Sequence, residues 1–364
     1  MKKILFLASC LLCIPPLAAQ EPNDDIHVMP EYMSNGYRQK INIPDLRNFI
    51  TLKCDLHTHT VFSDGNVWPT VRVDEAWIEG LDAVAITDHI EYRPKGKTVL
   101  GDLNESYEIA KKRADEIGFL LIKGAEITRK KPDGHMNALF IKDANRLDTT
   151  RVADALEEAH RQGAVIMLNH PGWPDGKSNM DTLHIRLMKE GKIQLVEVFN
   201  SRSFYPKVVD WLDTYHIAPA ASSDIHDLVG HRHITGQTFR PMTLVFAKER
   251  SLDGIREALE NKRTVAFFNQ HLAGSEKYLK ALFDACITAR MVTKDDKKKK
   301  YTFELSNNSD IRFLLKSEKG TYIDLRPNSI CRMSAGYDNT DAVYTVENAY
   351  TGMHRPLRTT LPLK

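Results

Sequence analysis

The sequence predicts an α/β protein: a largely parallel sheet or barrel through the middle of the chain, then a small all-β region. Three observations carry this. Short apolar runs alternate with longer amphipathic segments from about residue 50 to 270, the pattern of βαβ units. Beyond about residue 290, apolar residues recur at every second position, the period of a half-buried strand. The 364 residues, 42% hydrophobic and 27% charged, suffice for two domains and are too apolar for a disordered chain.

At the N-terminus, Lys2 and Lys3 precede an apolar run from Ile4 to Leu17, and the small residues Ala18 and Ala19 follow. These are the parts of an export signal. Residues 1–20 are therefore expected to be a signal peptide, and the mature protein to be exported to the periplasm. Leu7-Ala8-Ser9-Cys10 resembles a lipoprotein box, but cleavage before Cys10 leaves a very short apolar region, which argues against a lipid anchor. The remaining sequence offers no apolar stretch of spanning length, so no transmembrane domain is expected. Lys and Arg number 50 and Asp and Glu 48, and loss of Lys2 and Lys3 makes them equal. That balance excludes a broad nucleic-acid-binding surface. Cys54, Cys286 and Cys331 remain after processing, too few for a disulfide framework. Cys54 reads as a core residue; pairing of Cys286 with Cys331 stays open.

The expected strands are Thr51–Leu56, Ala83–Thr87, Phe119–Lys123, Ala164–Leu168, Leu195–Phe199, Ala218–Ser222, Thr243–Phe246 and Val265–Phe268. Helical spacing marks Val71–Ile78, Ser106–Ile117, Arg151–Gln162 and Leu252–Asn261. No GxGxxG or GxxxxGK[ST] occurs, so no dinucleotide or P-loop site is expected. The charged run from Lys294 to Lys300 reads as a solvated linker or strand edge. Tyr301, Phe303 and Leu305, the turn signal Asn307-Asn308-Ser309-Asp310, and then Ile311, Phe313 and Leu315 read as a hairpin. Tyr322–Leu325, Ala342–Glu347 and Arg358–Leu363 supply further strands of a sandwich-like region over 290–364.

The chemistry-bearing residues stand where strands end. His57 and His59 close the first strand and point to one side. Asp64 lies in the following loop, His89 ends the second strand and Glu126 the third. His135 opens an apolar segment after Pro132-Asp133-Gly134. His170 ends the strand Ala164–Leu168, and Asp224 and His226 end Ala218–Ser222. Strand C-terminal ends in α/β folds converge on one face. Six imidazoles with three carboxylates suit Zn2+, Mn2+ or Fe2+ rather than Ca2+ or Mg2+. They are too many for one cation and fit two or three.

Asp55-Leu56-His57-Thr58-His59, Ser63-Asp64-Gly65, Thr87-Asp88-His89, Gly124-Ala125-Glu126, His170-Pro171 and Ser223-Asp224-Ile225-His226 together resemble the polymerase and histidinol phosphatase (PHP) family of metal-dependent phosphoesterases. The resemblance covers about residues 45–272. It implies a distorted seven-stranded β/α barrel with a trinuclear site at the strand C-terminal face. By position, it implies that His57, His59, Glu126 and Asp224 hold the first metal. Glu126 bridges to a second, held also by His135 and His170; Asp64, His89 and His226 hold a third. Some members carry His where Asp64 stands, which leaves the third site the least secure. Leader, barrel and C-terminal β region together look like exported two-domain PHP phosphodiesterases.

The implied reaction is phosphoester hydrolysis, of phosphodiesters above all, by a hydroxide bridging the metals at a di- or trinuclear site. The partner is a small-molecule phosphoester. Arg202, His231 and Arg232 are candidates for holding its phosphate. Asp88 is a candidate to orient a ligand, and Trp173 either stacks in the cleft or packs beneath it. Two alternatives stand: a phosphomonoesterase of the histidinol-phosphatase type, and an amidohydrolase-like C–N hydrolase, which also opens with His-x-His on a barrel strand.

Overall fold

The apolar run expected at Thr51–Leu56 forms β1 (Ile50–Asp55), and the eight expected strands and four expected helices lie along the chain in order. α1 (Pro69–Ile78), β2 (Ala83–Ile86), α2 (Glu105–Ile117), β3 (Leu120–Thr128), β4 (His135–Leu139) and α3 (Val152–Arg161) come first. β5 (Val165–Leu168), α4 (Thr182–Lys189), β6 (Leu195–Asn200), the short β7 (Ser203–Phe204), α5 (Pro206–Tyr215) and β8 (Ala218–Ser222) follow. β9 (Met242–Ala247), α6 (Leu252–Glu260) and β10 (Thr264–Phe268) complete this part, in which β4, α4, β7 and α5 come in addition to the expected elements. The computed structural model describes Asp25, residues 37–233 and residues 238–363; the leader expected at 1–20, with Cys10, lies outside the described residues. Among the described residues, no helix is long and apolar enough to cross a membrane.

Local chemistry sets the helix ends. Prolines open α1 and α5 in the first turn, where their missing N–H is no loss. Ser251 caps α6 by accepting from Gly254 N–H at 2.9 Å. α2 stops at Gly118, whose φ of 63° suits a residue without a Cβ.

The sheet is rich in parallel strands but not uniformly parallel. β1, β2 and β3 pair in parallel, as do β5, β6 and β8. β4 lies antiparallel between β3 and β5, and β9 antiparallel on β1. The cause is at β3, which runs past its expected end at Lys123 to Thr128 and returns through a short loop. No crossover helix fits there, so the next strand must be antiparallel.

Side-chain hydroxyls bring the last strands together. Thr243 Oγ1 donates to Ala221 C=O and accepts from its N–H, both at 3.0 Å. Thr264 Oγ1 donates to Pro219 C=O at 2.7 Å. Past the end of β8, Asp224 N–H donates to His57 C=O at 2.9 Å and His59 N–H to Ile225 C=O at 3.1 Å. The chain beyond β8 thus lies beside the chain beyond β1. Leu52, Cys54, Leu56, Met167 and Val245 share one buried core with the small Ala83, Ala85, Ala218 and Ala220.

β10 turns into β11 (His271–Gly274) through Asn269 and Gln270, at φ 47° and 65°, the left-handed pair of a tight hairpin. α7 (Glu276–Cys286) runs directly into β12 (Ile287–Asp295). The charged run is therefore no linker: it forms the exposed tip between β12 and β13 (Lys300–Asn307). The hairpin expected around Asn307–Asp310 does not form. β13 pairs with β12 and β16 (Ser329–Gly336), whereas β14 (Phe313–Ser317) pairs with β15 (Tyr322–Leu325) and β17 (Val343–Gly352). Buried Asn307 is the reason: its Nδ2 donates to Ile311, Leu325 and Arg326 C=O at 2.6, 3.0 and 3.0 Å. These bonds bend the chain from one sheet to the other. Phe303, Leu305, Phe313 and Leu315 still bury their alternating side chains in one core. β17 pairs antiparallel with β18 (Arg355–Thr360) and parallel with β11, which makes β14, β15, β17 and β18 continuous with the sheet of β1 to β11, while β12, β13 and β16 form a sheet of their own. Cys54, Cys286 and Cys331 are unpaired.

Candidate metal centre

All nine sequence-predicted ligand residues meet at the ends of the strands. His57 and His59 follow β1, His89 follows β2, His170 follows β5, and Asp224 and His226 follow β8. Glu126 lies within β3, and His135 is the first residue of β4. Asp64 comes from the loop after His59. A Cβ on Gly65 would lie 2.7 Å from the His59 carbonyl carbon, so glycine lets this loop pass over the backbone. Asp88 accepts from Thr60 N–H and Oγ1 at 2.7 Å and from Ser63 Oγ at 2.6 Å. It therefore anchors the loop that carries Asp64 rather than a histidine ring.

The nine fall into overlapping groups whose donor atoms lie within 4.8 Å of one another. One comprises His59, Asp64, His89 and His226; another His57, His59 and Asp224. The remaining two share Glu126, with His57 and His170 or with His89 and His135. Glu126 sits at the centre. Its Oε1 is 3.1 Å from His135 Nδ1 and 3.4 Å from the Nε2 of both His57 and His170. Its Oε2 is 2.5 Å from His89 Nδ1 and 3.7 Å from His59 Nε2. Asp224 Oδ1 lies 3.1 Å from His59 Nε2, and Asp64 Oδ1 3.1 Å from His226 Nε2.

Charges crowded at this density shift one another. Burial disfavours ionisation of Glu126, but the His57 and His89 rings hold its carboxyl well below the usual range. Asp64 and Asp224 are held low in the same way, against burial, by His226 and His57 respectively among others. His89 is raised to about 10, because Glu126 and Asp64 outweigh its burial. His59 goes the other way, to about 4, through burial and its neighbours His89 and His226.

Two observations test whether cations fit here. Among the described residues, Asp64 Oδ1 and Glu126 Oε2 are buried and face no donor except imidazole nitrogens, so only protons on those rings or a cation can satisfy them. Each faces imidazole nitrogens, so both point into the cluster. Asp224 and His170 also hold positive φ, 49° and 22°, strain that side chains other than glycine rarely tolerate. Imidazole nitrogens that give up their protons, together with carboxylate oxygens, are the donors that borderline divalent metals take. The residues fit such ions.

Sequence reasoning missed Glu197. It is fully buried in β6, and its Oε1 accepts from His57 Nδ1 at 3.0 Å. Its Oε2 accepts from His170 N–H at 2.7 Å and Asn200 Nδ2 at 2.8 Å. This carboxylate keeps the His57 proton on Nδ1 and frees Nε2 to face Glu126 and Asp224. An acidic residue between Val196 and Val198 in an apolar strand was the available signal.

A cleft of about 1330 Å3 opens above the cluster. Of the three phosphate candidates, Arg232 lines it and donates to Ser201 Oγ at 3.1 Å. Arg202 and His231 are exposed and lie outside its lining: the turn before β7 carries Arg202 away from the cleft wall that Ser201 and Ser203 form. Trp173 lines the cleft, 55% exposed, rather than packing beneath it.

With this geometry in place, the similarities to known proteins are informative. The PHP domain profile matches residues 55–317. The chain belongs to the PHP domain family of metal-dependent phosphoesterases. A crystal structure from Bacteroides vulgatus, of a two-domain protein containing a predicted PHP-like metal-dependent phosphoesterase, is 38% identical. The match covers 90% of this chain and 99% of that one, with a TM-score of 0.86. An uncharacterised protein of Methanocaldococcus jannaschii is 37% identical over 81 residues, 22% of this chain and 36% of its own length. A 5′-3′ exoribonuclease of Haemophilus influenzae is 39% identical over 79 residues, 22% of this chain and 24% of its own. The chain thus spans about a third and a quarter of these curated relatives.

Proposed function

We propose that this PHP protein hydrolyses phosphoesters, diesters in preference to monoesters, with two or three divalent ions of Zn2+, Mn2+ or Fe2+. The observation that carries the reading is the pair of buried carboxylate oxygens, Asp64 Oδ1 and Glu126 Oε2, that face only imidazoles, with Asp64, His89, His135, His170, Asp224 and His226 of that cluster lining an open cleft. Bound cations supply Lewis acidity toward phosphoryl oxygens and an acidified water. The chain's own residues do the rest. Glu126 neutralises charge between neighbouring groups of imidazoles, and Glu197 sets the His57 tautomer. The Asp88-anchored loop fixes Asp64. Arg232 offers its guanidinium to an oxygen of a phosphate lying in the cleft. The cleft volume of about 1330 Å3 far exceeds a phosphate group and leaves room for an ester arm on each side, which favours diesters.

The test is a panel on the metal-reconstituted full chain: bis(p-nitrophenyl) phosphate, p-nitrophenyl phosphate and a p-nitroanilide. Elemental analysis runs beside it. Expected are two to three ions per chain, fastest turnover of the diester and loss of turnover on chelation. Faster anilide cleavage, or full activity with one ion, overturns the reading. We further propose that residues 1–20 direct export to the periplasm. Their fusion to an export-dependent reporter should be active outside the cytoplasm, and a reporter retained inside refutes it.

A further inference from the structure

The cleft is much larger than the cation cluster needs, and one wall carries an exposed indole held in a fixed place. The backbone N–H of Trp173 donates to His170 C=O at 2.9 Å, which closes a turn directly after a candidate ligand. Gly172 lies on the ring of Tyr205 so closely that a Cβ would come within 2.6 Å of Cε1. The segment is thus pinned from below by Tyr205 and from behind by its own turn. The indole meets the His135 and His170 rings at centroid distances of 5.2 and 5.5 Å. More than half of its surface stays open, and it lines the cleft. A large aromatic side chain left exposed yet fixed is the form of a stacking platform. Tyr92, also exposed and lining the cleft, stands against His89 at 5.8 Å.

The charges of the same wall indicate what the platform takes. Lys131 pairs with Asp175 at 2.5 Å, and Arg129 pairs with Glu91. These cations are neutralised by acids that also line the cleft. Lys130, exposed, and Asp181 also line the cleft with opposite charges, so away from the cluster the wall offers flat apolar surface and nearly balanced charge. A second phosphate or a carboxylated arm finds no strong attraction there; an uncharged planar ring does.

We propose that Trp173 is a specificity residue that stacks on an uncharged aromatic or heteroaromatic ring in the non-leaving arm of the substrate, which makes the preferred substrates ring-bearing phosphodiesters. This rests on the phosphoester reading above and specifies its substrate class. It makes Trp173 a binding residue, with no part in proton transfer or cation holding.

The experiment compares methyl p-nitrophenyl phosphate with phenyl p-nitrophenyl phosphate on the reconstituted full chain. The leaving group is the same, so only the other arm differs. In wild type, the phenyl ester should have the lower KM. Trp173→Ala should lower the phenyl-to-methyl ratio of kcat/KM about fivefold, carried by KM, and Trp173→Phe should keep most of it. A ratio unchanged in Trp173→Ala, or a loss carried by kcat alone, overturns the proposal. A second measurement does not depend on turnover: calorimetric binding of phenylphosphonate and methylphosphonate. Wild type should bind the phenyl compound about fivefold more tightly, and Trp173→Ala should erase the difference. Equal binding in wild type refutes the platform. Absence of hydrolysis for every ester refutes the phosphoester reading instead, and the phosphonate titration still decides for or against the ring.

Discussion

Two clusters of buried charge sit side by side at the strand ends, and they are completed differently. In the first, Asp55 and Glu79 receive a guanidinium: Arg240 donates through Nη1 to Asp55 at 3.0 Å and through Nε to Glu79 at 2.7 Å. Ser223 donates to Asp55 from both N–H and Oγ, at 3.0 and 2.5 Å. The chain itself supplies the positive charge. In the second, which begins two residues further along with His57, Asn169 donates to Glu126 Oε1 at 2.8 Å and Asn200 to Asp224 Oδ2 at 3.3 Å, but among the described residues no Lys or Arg enters, and Asp64 Oδ1 and Glu126 Oε2 face imidazole nitrogens alone. A buried carboxylate with a guanidinium is structure; buried carboxylates left open among histidines call for cations from outside. The contrast locates the functional site without reference to any relative.

The strongest test of the contrast lies in Glu126. Its carboxylate serves two of the four ligand groups, whereas Asp64 serves one. Glu126→Gln should therefore abolish phosphoester turnover and remove more metal per chain, by elemental analysis, than Asp64→Asn. Equal metal loss from both would take away the central place assigned to Glu126. Next in size is Arg240→Met, which leaves Asp55 and Glu79 buried without their cation. It should cost about 3–5 kcal/mol of unfolding free energy in urea, and the cost should be similar with and without chelator. A loss that disappears once metal is bound would show that the two clusters are one.

Glu197 sharpens the contrast, because it is a carboxylate completed by the ligands themselves. Both of its oxygens accept, one from His57 Nδ1 and the other from His170 N–H and Asn200 Nδ2. Glutamine has one acceptor oxygen, so its NH2 must face one of these donors. Facing His57, it forces the ring proton onto Nε2, the atom turned toward Glu126 and Asp224. Glu197→Gln should thus weaken metal binding about 10–100-fold in metal-buffered titrations, nearly as much as Glu197→Ala. Wild-type affinity in the glutamine variant would refute the tautomer argument.

The same division between local and distant causes explains what the sequence made legible. The ligand residues were readable because each closes, follows or, for His135, opens a local apolar run, and His57 and His59 carry the period of a strand. Ala218–Ser222 forms β8 with the expected ends. Glu197 went unread because its meaning depends on His57, distant in sequence. The hairpin at Asn307 failed for a related reason: the period of two gives the buried face, while pairing is set by bonds that Asn307 makes to Leu325 and Arg326. α4, α5 and α7 were passed over. α7 does carry a helical signal, since Tyr278, Leu279, Leu282, Phe283 and Cys286 are all buried. α4 is short and rests on a capping box between Asp181 and His184, which apolar spacing does not reveal.

The smallest expected effect concerns pH, and it separates chelated from metal-loaded protein. In the metal-free cluster, Glu126 and Asp64 raise His89 to about 10 against its burial, compared with about 6.5 in an unfolded chain. A raised folded-state pKa means that the native protein binds more protons than the unfolded chain between these values. The stability this proton contributes is complete below about pH 6.5 and is lost as pH rises toward 10. Chelated protein should therefore melt at a lower temperature at pH 9 than at pH 7. Cations compete with that proton, so metal affinity should rise over the same interval, and binding should release protons. The gap in melting temperature between loaded and chelated protein should widen from pH 7 to pH 9. The Arg240 cluster cannot produce this, because a guanidinium does not titrate there. Arg240→Met should consequently lower both curves and leave the widening intact. A gap that stays constant with pH, or a widening that vanishes in Arg240→Met, would mean that the imidazoles are not held charged by Glu126 and Asp64 and that the two clusters do not differ in the way their geometry indicates.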